Sequence, residues 1–366
     1  MPEEKKLHSQ EEPMTTIYLI RHAEAEGNLY RIAQGQYNSL LTDRGARQVA
    51  ALEQRFADIH VDAVYSSDLY RTCATAAAIY KPKELELHRR TDLREICVGV
   101  WEQRTWGDIA RADPEQMENF SLHPERWQVA GGEAPAAVLR RVRAAVEDIA
   151  RKNEDRSVAV FSHGYAIRLL LADLQGYTLE QLAATPVGDN TAVSKLEVRD
   201  GKLEVVFRDD NSHLRTPEYL AGETKGKRAN GLEPGLRFLP LYPAEQAAFL
   251  DRCVRETGMA VQPDGQALVG YLGEEPVGLL QMGTEQGRIA LAYIQPEYRG
   301  RGFGVQLIGQ AVRLTRETGG ETVLVRSGDS AAFWSRYGFR PGTQADTLEK
   351  GIGFDPAYLA LPPAEV

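Results

Sequence analysis

Three apolar runs in this chain each end in polar residues able to do chemistry, and each is followed by a helical pattern. Residues 15–20 end in Arg21-His22, residues 61–65 in Ser66-Ser67, and residues 157–161 in Ser162-His163-Gly164. Apolar, β-branched runs of this length read as buried strands. Helical patterns fall at about 42–56, 67–80, 135–152 and 165–174. Strand–helix alternation implies a mostly parallel sheet covered on both faces, a three-layer α/β/α arrangement. In such a sheet the carboxyl ends of all parallel strands share one edge, where ligands bind. Two histidines, His22 and His163, and two arginines, Arg21 and Arg71, therefore converge on one crevice. Asp200-Gly201, between runs at 192–198 and 202–207, is a hairpin signal, so one edge of the sheet is antiparallel.

Cations gathered at helix N-termini describe a phosphate site. Each residue also has a structural alternative. His22 alone could be a satisfied core histidine, Arg71 a solvated helix residue, and His163 a helix cap. No two histidines stand at helical metal-ligand spacing, which argues against a zinc site.

The chain's 366 residues suggest two or three domains. A formal net charge of −9 disfavours a nucleic-acid partner. Only Cys73, Cys97 and Cys253 occur, too few and too scattered for a disulfide framework, so a reducing, cytoplasmic setting is expected. No apolar stretch approaches the roughly 20 residues of a membrane span. Residues 1–13 lack a signal-peptide core and read as a disordered leader. Residues 101–132, with Trp101, Trp106, Phe120 and Trp127, read as a helical flap over the sheet edge. Its tryptophans suggest an apolar or ring-bearing leaving group. Residues 216–234, poor in apolar residues, read as an exposed linker.

A second strand–helix pattern begins at 236. It runs strand 236–241, helix 243–257, strands 266–272, 276–282 and 288–294, helix 302–318, strand 321–326 and helix 330–337. Tyr298-Arg299-Gly300-Arg301-Gly302-Phe303-Gly304 joins a strand to a helix. Its alternate glycines let backbone N–H groups approach an anion, and the helix N-terminus adds positive potential. An ordinary glycine-rich turn remains the alternative reading.

Arg21-His22-Ala23-Glu24 with Asn28 resembles the signature of the histidine phosphatase family, the phosphoglycerate-mutase-like superfamily. Ser66 to Ala76, Leu93-Arg94-Glu95-Ile96 with Gly99 and Trp101-Glu102, Gly131-Gly132-Glu133, and Ser162-His163-Gly164 are similar to that family's later segments, in its order. The resemblance covers about 14–214. It implies a phosphoglycerate mutase-like fold and a nucleophile, His22, that becomes phosphorylated. Arg21, Asn28, Arg71 and His163 would bind phosphoryl oxygens. Gln34 and Gly35 would add substrate contacts, and Glu95 would serve as general acid, then base. No cofactor is implied for this reaction. His22 must be neutral to attack, with its other ring nitrogen donating to an acceptor, whereas His163 is expected as a cation. The short flap favours hydrolysis of a small phosphate ester over a mutase reaction.

The second pattern, with Ala331 to Phe339 downstream, resembles the GCN5-related N-acetyltransferase (GNAT) family over about 236–366. It implies an α+β mixed-sheet domain using acetyl-CoA, held by Ile294 and the segment Arg299, Gly300, Arg301, Gly302, Phe303 and Gly304. Trp334 stands where many members place a tyrosine general acid, and an indole cannot protonate a thiolate. A CoA-binding module without catalysis is therefore the alternative for this half. Glu297 is the candidate base. The expected divisions are a leader 1–13, a phosphatase domain 14–215, a linker 216–234 and an acetyltransferase domain 235–366.

Overall fold

The computed structural model describes residues 14–221, 223, 235–261, 266–328 and 330–359. The leader expected over 1–13 and most of the expected linker lie outside these residues. The first half contains, in order, β1 (Thr16–Arg21), α1 (Glu26–Tyr30), α2 (Asp43–Phe56), β2 (Ala63–Ser67), α3 (Tyr70–Tyr80), β3 (Leu87–Arg90), α4 (Trp106–Ala112), α5 (Pro114–Leu122), α6 (Pro135–Lys152), β4 (Ser157–Ser162), α7 (Gly164–Leu174), β5 (Val193–Arg199) and β6 (Lys202–Asp210). Its sheet has the order β3-β2-β4-β1-β5-β6. The first four strands are parallel, and β5 and β6 add an antiparallel edge. Asp200 and Gly201 both have positive φ, 49° and 73°, as the tight hairpin between those strands demands.

Alternation along the central strands builds two cores. Ile17, Leu19, Val158 and Val160 face α6 and α7, while Ile20, Ala159 and Phe161 face α2 and α3. Each such side chain, taken wholly out of water, stabilises the fold by about 1.5–3 kcal/mol. The register sets Arg21 opposite Ser162, so the β1 and β4 termini open on the same edge. Strand β3 has no counterpart in the apolar pattern, because its Leu-His-Arg-Arg sequence is only partly buried at an edge.

The flap is helical, formed by α4 and α5, but its tryptophans do not face a ligand. Trp101 is fully buried, with Trp106, Phe120 and Trp127 packed around it at centroid distances of 6.3, 5.8 and 5.6 Å. They join the core that β1, β4, α6 and α7 share, which removes the sequence argument for a ring-bearing leaving group.

The second half contains α8 (Pro217–Ala221), β7 (Arg237–Pro240), α9 (Ala247–Thr257), β8 (Ala267–Leu272), β9 (Glu275–Met282), β10 (Arg288–Ile294), α10 (Phe303–Glu317), β11 (Thr322–Arg326), α11 (Ala331–Arg336), β12 (Arg340–Pro341), β13 (Thr347–Gly351) and α12 (Pro356–Leu359). The described start of the expected linker is largely exposed, at Pro217, Glu218, Leu220 and Ala221, but it is anchored at two points. Tyr219 of α8 is buried with Ala51 and Leu214, and Glu223 pairs with Arg44 at 2.9 Å and Arg47 at 3.1 Å. The second sheet has the order β12-β13-β11-β10-β9-β8-β7. Its one parallel pair, β10 with β11, is matched only at Arg288–Leu324 and Ile289–Val325. The pairing ends one residue before β11 itself ends at Arg326, while β10 continues to Ile294.

The halves share a core. Tyr30 and Ile32, just after the Arg21–Asn28 segment, belong to the apolar cluster of the second sheet. A Cβ on Gly309 of α10 would come within 2.5 Å of the Tyr30 Cβ, so glycine permits the close approach of α1 and α10. Glu26, almost fully buried, receives both Arg316 guanidinium nitrogens at 2.8 and 3.2 Å.

Candidate functional site

The first site lies at the shared carboxyl edge of β1, β2 and β4. His22 is 3% exposed, and its Nδ1–H donates to the Ala23 carbonyl at 2.7 Å. That bond leaves Nε2 with a free lone pair. Burial, and then Arg71 and Arg21, hold the His22 pKa well below 6.5, so the ring is neutral. The His163 ring lies beside it, with centroids 5.3 Å apart. Its Nε2 shares a 2.9 Å hydrogen bond with Ser67 Oγ.

Arg71 is fully buried, and its far edge donates to the Tyr37 and Gly35 carbonyls at 3.0 and 2.7 Å. Burial lowers its pKa to about 10. Arg21 donates from Nη1 to the Gly188 carbonyl. Arg21 Nε, Arg71 Nε and His163 Nδ1 are all buried without a hydrogen-bond partner. Each orphaned buried polar group costs about 1–3 kcal/mol, a penalty that an anion accepting from all three would relieve. Glu95 sits at the N-terminus of α7, where its carboxyl oxygens accept from the N–H groups of Ile96, Tyr165 and Ala166, each at 3.0 Å.

The structure thus brings Arg21, His22, Arg71, Glu95 and His163 to one edge. Asn28 lies on α1, where its Oδ1 accepts from the Ala25 N–H at 3.0 Å and lies 3.5 Å from Asn190 Nδ2. Gly35 supplies the carbonyl that Arg71 grips. Gln34 packs over Gly27 and accepts from Ser39 Oγ. The expected cationic state of His163 is not found. Burial, Arg71, His22, Arg141 and Arg21 together hold its pKa well below 6.5, outweighing the single neutral bond to Ser67.

Several supporting contacts escaped the sequence reading, although Glu102 and Thr75 lie in segments it singled out. Glu102 accepts from the N–H groups of Gly35, Gln36 and Tyr37 and so fixes the loop under Arg71. Asn190 Nδ2 donates to the His22 carbonyl, and Thr75 Oγ1 accepts from the Ala23 N–H. Arg141, paired with Glu133, donates to the carbonyls of Asp92, Arg94 and Glu95 and so holds the acid's backbone. An antiparallel β5 must begin at the ligand edge, a signal that could have found Asn190. Arg141 gave none, since on a helix face it reads as solvated.

The second site is built from backbone. Gly300 and Gly302 have φ of 75° and 84°, which turn the loop after β10 into the N-terminus of α10. The first-turn N–H groups of a helix have no partner within it. Ile294, Arg299, Gly300, Gly302 and Gly304 line a cleft of about 1840 Å³. The unpaired end of β10 and this glycine loop fit a nucleotide thioester such as acetyl-CoA. Phe303 is 5% exposed in the core, and the Arg301 guanidinium lies over the Tyr298 and Phe303 rings at 5.5 and 5.2 Å. What these two can offer the cleft is their backbone amides.

Trp334 is buried against Phe333 and Phe339, while Tyr337, half-buried, lines the cleft with it. Glu297 is not disposed as a base. Arg252 engages both its carboxylate oxygens at 2.7 Å, which lowers its pKa.

The model of the histidine phosphatase superfamily (branch 1) matches residues 17–211, and an acetyltransferase (GNAT) domain matches 238–359. Phosphoserine phosphatase 1 of Hydrogenobacter thermophilus is 29% identical over 55% of this chain and 95% of its own. The protein named "Probable phosphoglycerate mutase GpmB" of Proteus mirabilis is 31% identical over 44% of this chain and 76% of its own. The solved structure of Bacillus stearothermophilus YhfR superposes with a TM-score of 0.54 at 30% identity, covering 55% of this chain and 99% of that one. The chain belongs to the histidine phosphatase superfamily, branch 1, and carries a GNAT acetyltransferase domain in its second half.

Proposed function

We propose that His22 Nε2 attacks the phosphorus of a small phosphomonoester. A P–N bond forms as the P–O bond to the leaving alcohol breaks. Arg21, Arg71, Asn28 and His163 hold the phosphoryl oxygens, and catalysis is mainly positioning and charge stabilisation. Glu95 gives its proton to the leaving oxygen, then takes one from the water that attacks phosphorus and releases His22 with inorganic phosphate. The observation that carries this reading is a neutral His22 with its Nε2 free, beside three buried donors without partners. His22→Ala should abolish hydrolysis of p-nitrophenyl phosphate and the acid-labile labelling of the protein by radiolabelled substrate. Full activity in that variant overturns the reading.

For the substrate, we propose a phosphorylated hydroxy-amino acid of the phosphoserine type, on the likeness to a phosphoserine phosphatase. The likeness to a protein named as a mutase supports a second reading, isomerisation of a phosphoglycerate. That activity would depend on a bisphosphate, whereas hydrolysis of phosphoserine would not.

The GNAT half acetylates an amine on this reading. Bound acetyl-CoA would supply the acetyl group, with Ile294 and the loop Arg299–Gly304 holding it. Tyr337 carries the hydroxyl that Trp334 lacks and is the proton-holding group of the cleft wall. A module that binds CoA without catalysis would leave Tyr337→Phe without effect. The units proposed are a leader 1–13, residues 14–215, a linker 216–234 and residues 235–366. A cytoplasmic setting is proposed from three cysteines that are all free. No described helix is long and apolar enough to cross a membrane.

A further inference from the structure

We infer that acetyl-CoA is held across the boundary between the two halves, and that Arg47 of α2 and Arg215 take the 3′-phosphate of its nucleotide end. The inference rests on the acetyltransferase reading and assigns to the phosphatase half a part of the other half's ligand site.

The cleft beside the glycine loop is not a groove of the second half alone. Its facing wall comes from the first half and includes Asp43, Arg44 and Arg47 of α2, Asn190, Arg215 and Tyr219. Its volume of about 1840 Å³ exceeds the roughly 300–1,000 Å³ of most small-molecule sites. That leaves room for an extended nucleotide thioester together with an acceptor.

Charge identifies the kind of ligand. The described residues lining the cleft include eight Arg or Lys against four Asp or Glu, in a chain whose formal net charge is −9. A cationic cleft in an acidic protein concentrates a polyanion and repels little else. CoA carries a pyrophosphate and, apart from it, a 3′-phosphomonoester. The amides of the glycine loop suit the pyrophosphate. The monoester needs cations elsewhere.

Several cations of the cleft are already committed. Arg299 donates to the Ile294 carbonyl, Arg340 pairs with Asp43, and Arg44 is held between Glu24 and Glu223. Arg47 is tied less fully. Its Nη2 meets Glu223 at 3.1 Å and its Nη1 reaches the Asp43 carbonyl only at 3.4 Å, its side chain is 41% exposed, and its Nε is buried without a partner. Arg215 is exposed on the same wall. Two guanidinium groups lining the same cleft as the loop suit a phosphate monoester.

The test is calorimetric titration of the full chain with CoA and with dephospho-CoA, which lacks the 3′-phosphate. The wild-type chain should bind CoA more tightly than dephospho-CoA. The double variant Arg47→Ala/Arg215→Ala should raise the CoA Kd about ten-fold or more. It should leave the dephospho-CoA Kd unchanged, and it should flatten the salt dependence of CoA binding. Retained p-nitrophenyl phosphate hydrolysis and an unchanged Tm certify that the variant is folded. An unchanged CoA Kd, or an equal loss for both ligands, overturns the assignment. Failure of the wild-type chain to bind either ligand would instead overturn the acetyltransferase reading, so the two failures are distinguishable.

Discussion

The two sites of this chain are made in opposite ways. At the phosphatase edge, buried side chains do the work, and Arg21, Arg71 and His163 keep polar atoms unpartnered around a neutral His22. At the glycine-loop cleft the backbone forms the lining, through two glycines with positive φ, the first turn of α10 and the unpaired end of β10. There the side chains beside the loop are engaged elsewhere, Arg301 on aromatic rings and Arg299 on a carbonyl. A side-chain site dies with one substitution, whereas a backbone site tolerates many and fails mainly where its conformation is forced.

The largest test of that contrast is His22→Ala. Phosphatase kcat should fall by more than about 10³-fold, with acetyl-CoA binding by the same protein unchanged. A variant that loses both would break the contrast. Next is Gly302→Val, which forces a β-branched residue to a φ of 84° at a cost of about 1–3 kcal/mol. Acetyl-CoA Kd should rise about ten-fold or more by calorimetry, while phosphate-ester hydrolysis persists. Tyr337→Phe keeps the cleft's shape and removes one hydroxyl. It should lower acetyl-transfer kcat by about ten-fold and leave the acetyl-CoA Kd as it was.

Acid should separate the regions most gently. All seven histidines precede residue 214. His22 and His163 have pKa values held well below 6.5 by burial, and burial lowers His213 to about 4. Below pH 6.5 the unfolded chain therefore binds protons that the folded chain refuses, so stability falls as pH falls. For His213 the loss runs from 6.5 down to about 4, and each such histidine removes up to about 1.4 kcal/mol per pH unit. Denaturant midpoints read by first-half tryptophan emission at pH 7 and pH 5 should show the drop, and His213→Gln should reduce it. A midpoint independent of pH would count against neutral buried histidines.

What could be read without coordinates follows the same division. Arg21, His22 and His163 were legible because they interrupt the chain at the ends of apolar runs, and topology alone gathers such ends. Asp200-Gly201 was legible because few other pairs accept two positive φ values in succession. Glu102, Thr75 and Arg141 were not, since each acts on backbone groups brought near only by the fold. The flap tryptophans misled because a large aromatic residue can line a pocket or fill a core, and its neighbours in space decide which. The charge state of His163 was misjudged because the count of guanidinium groups around a buried ring is a tertiary quantity.

The packing of α1 on α10 has a consequence for how such a chain can change over time. Tyr30 and Ile32 lie eight and ten residues past His22 and pack in the core of the other half. Glu26 relies on Arg316 for its countercharge. Separating the gene into two would uncover apolar surface and strand a buried carboxylate next to the histidine segment. A substitution at this contact in either half would therefore call for a compensating change in the other.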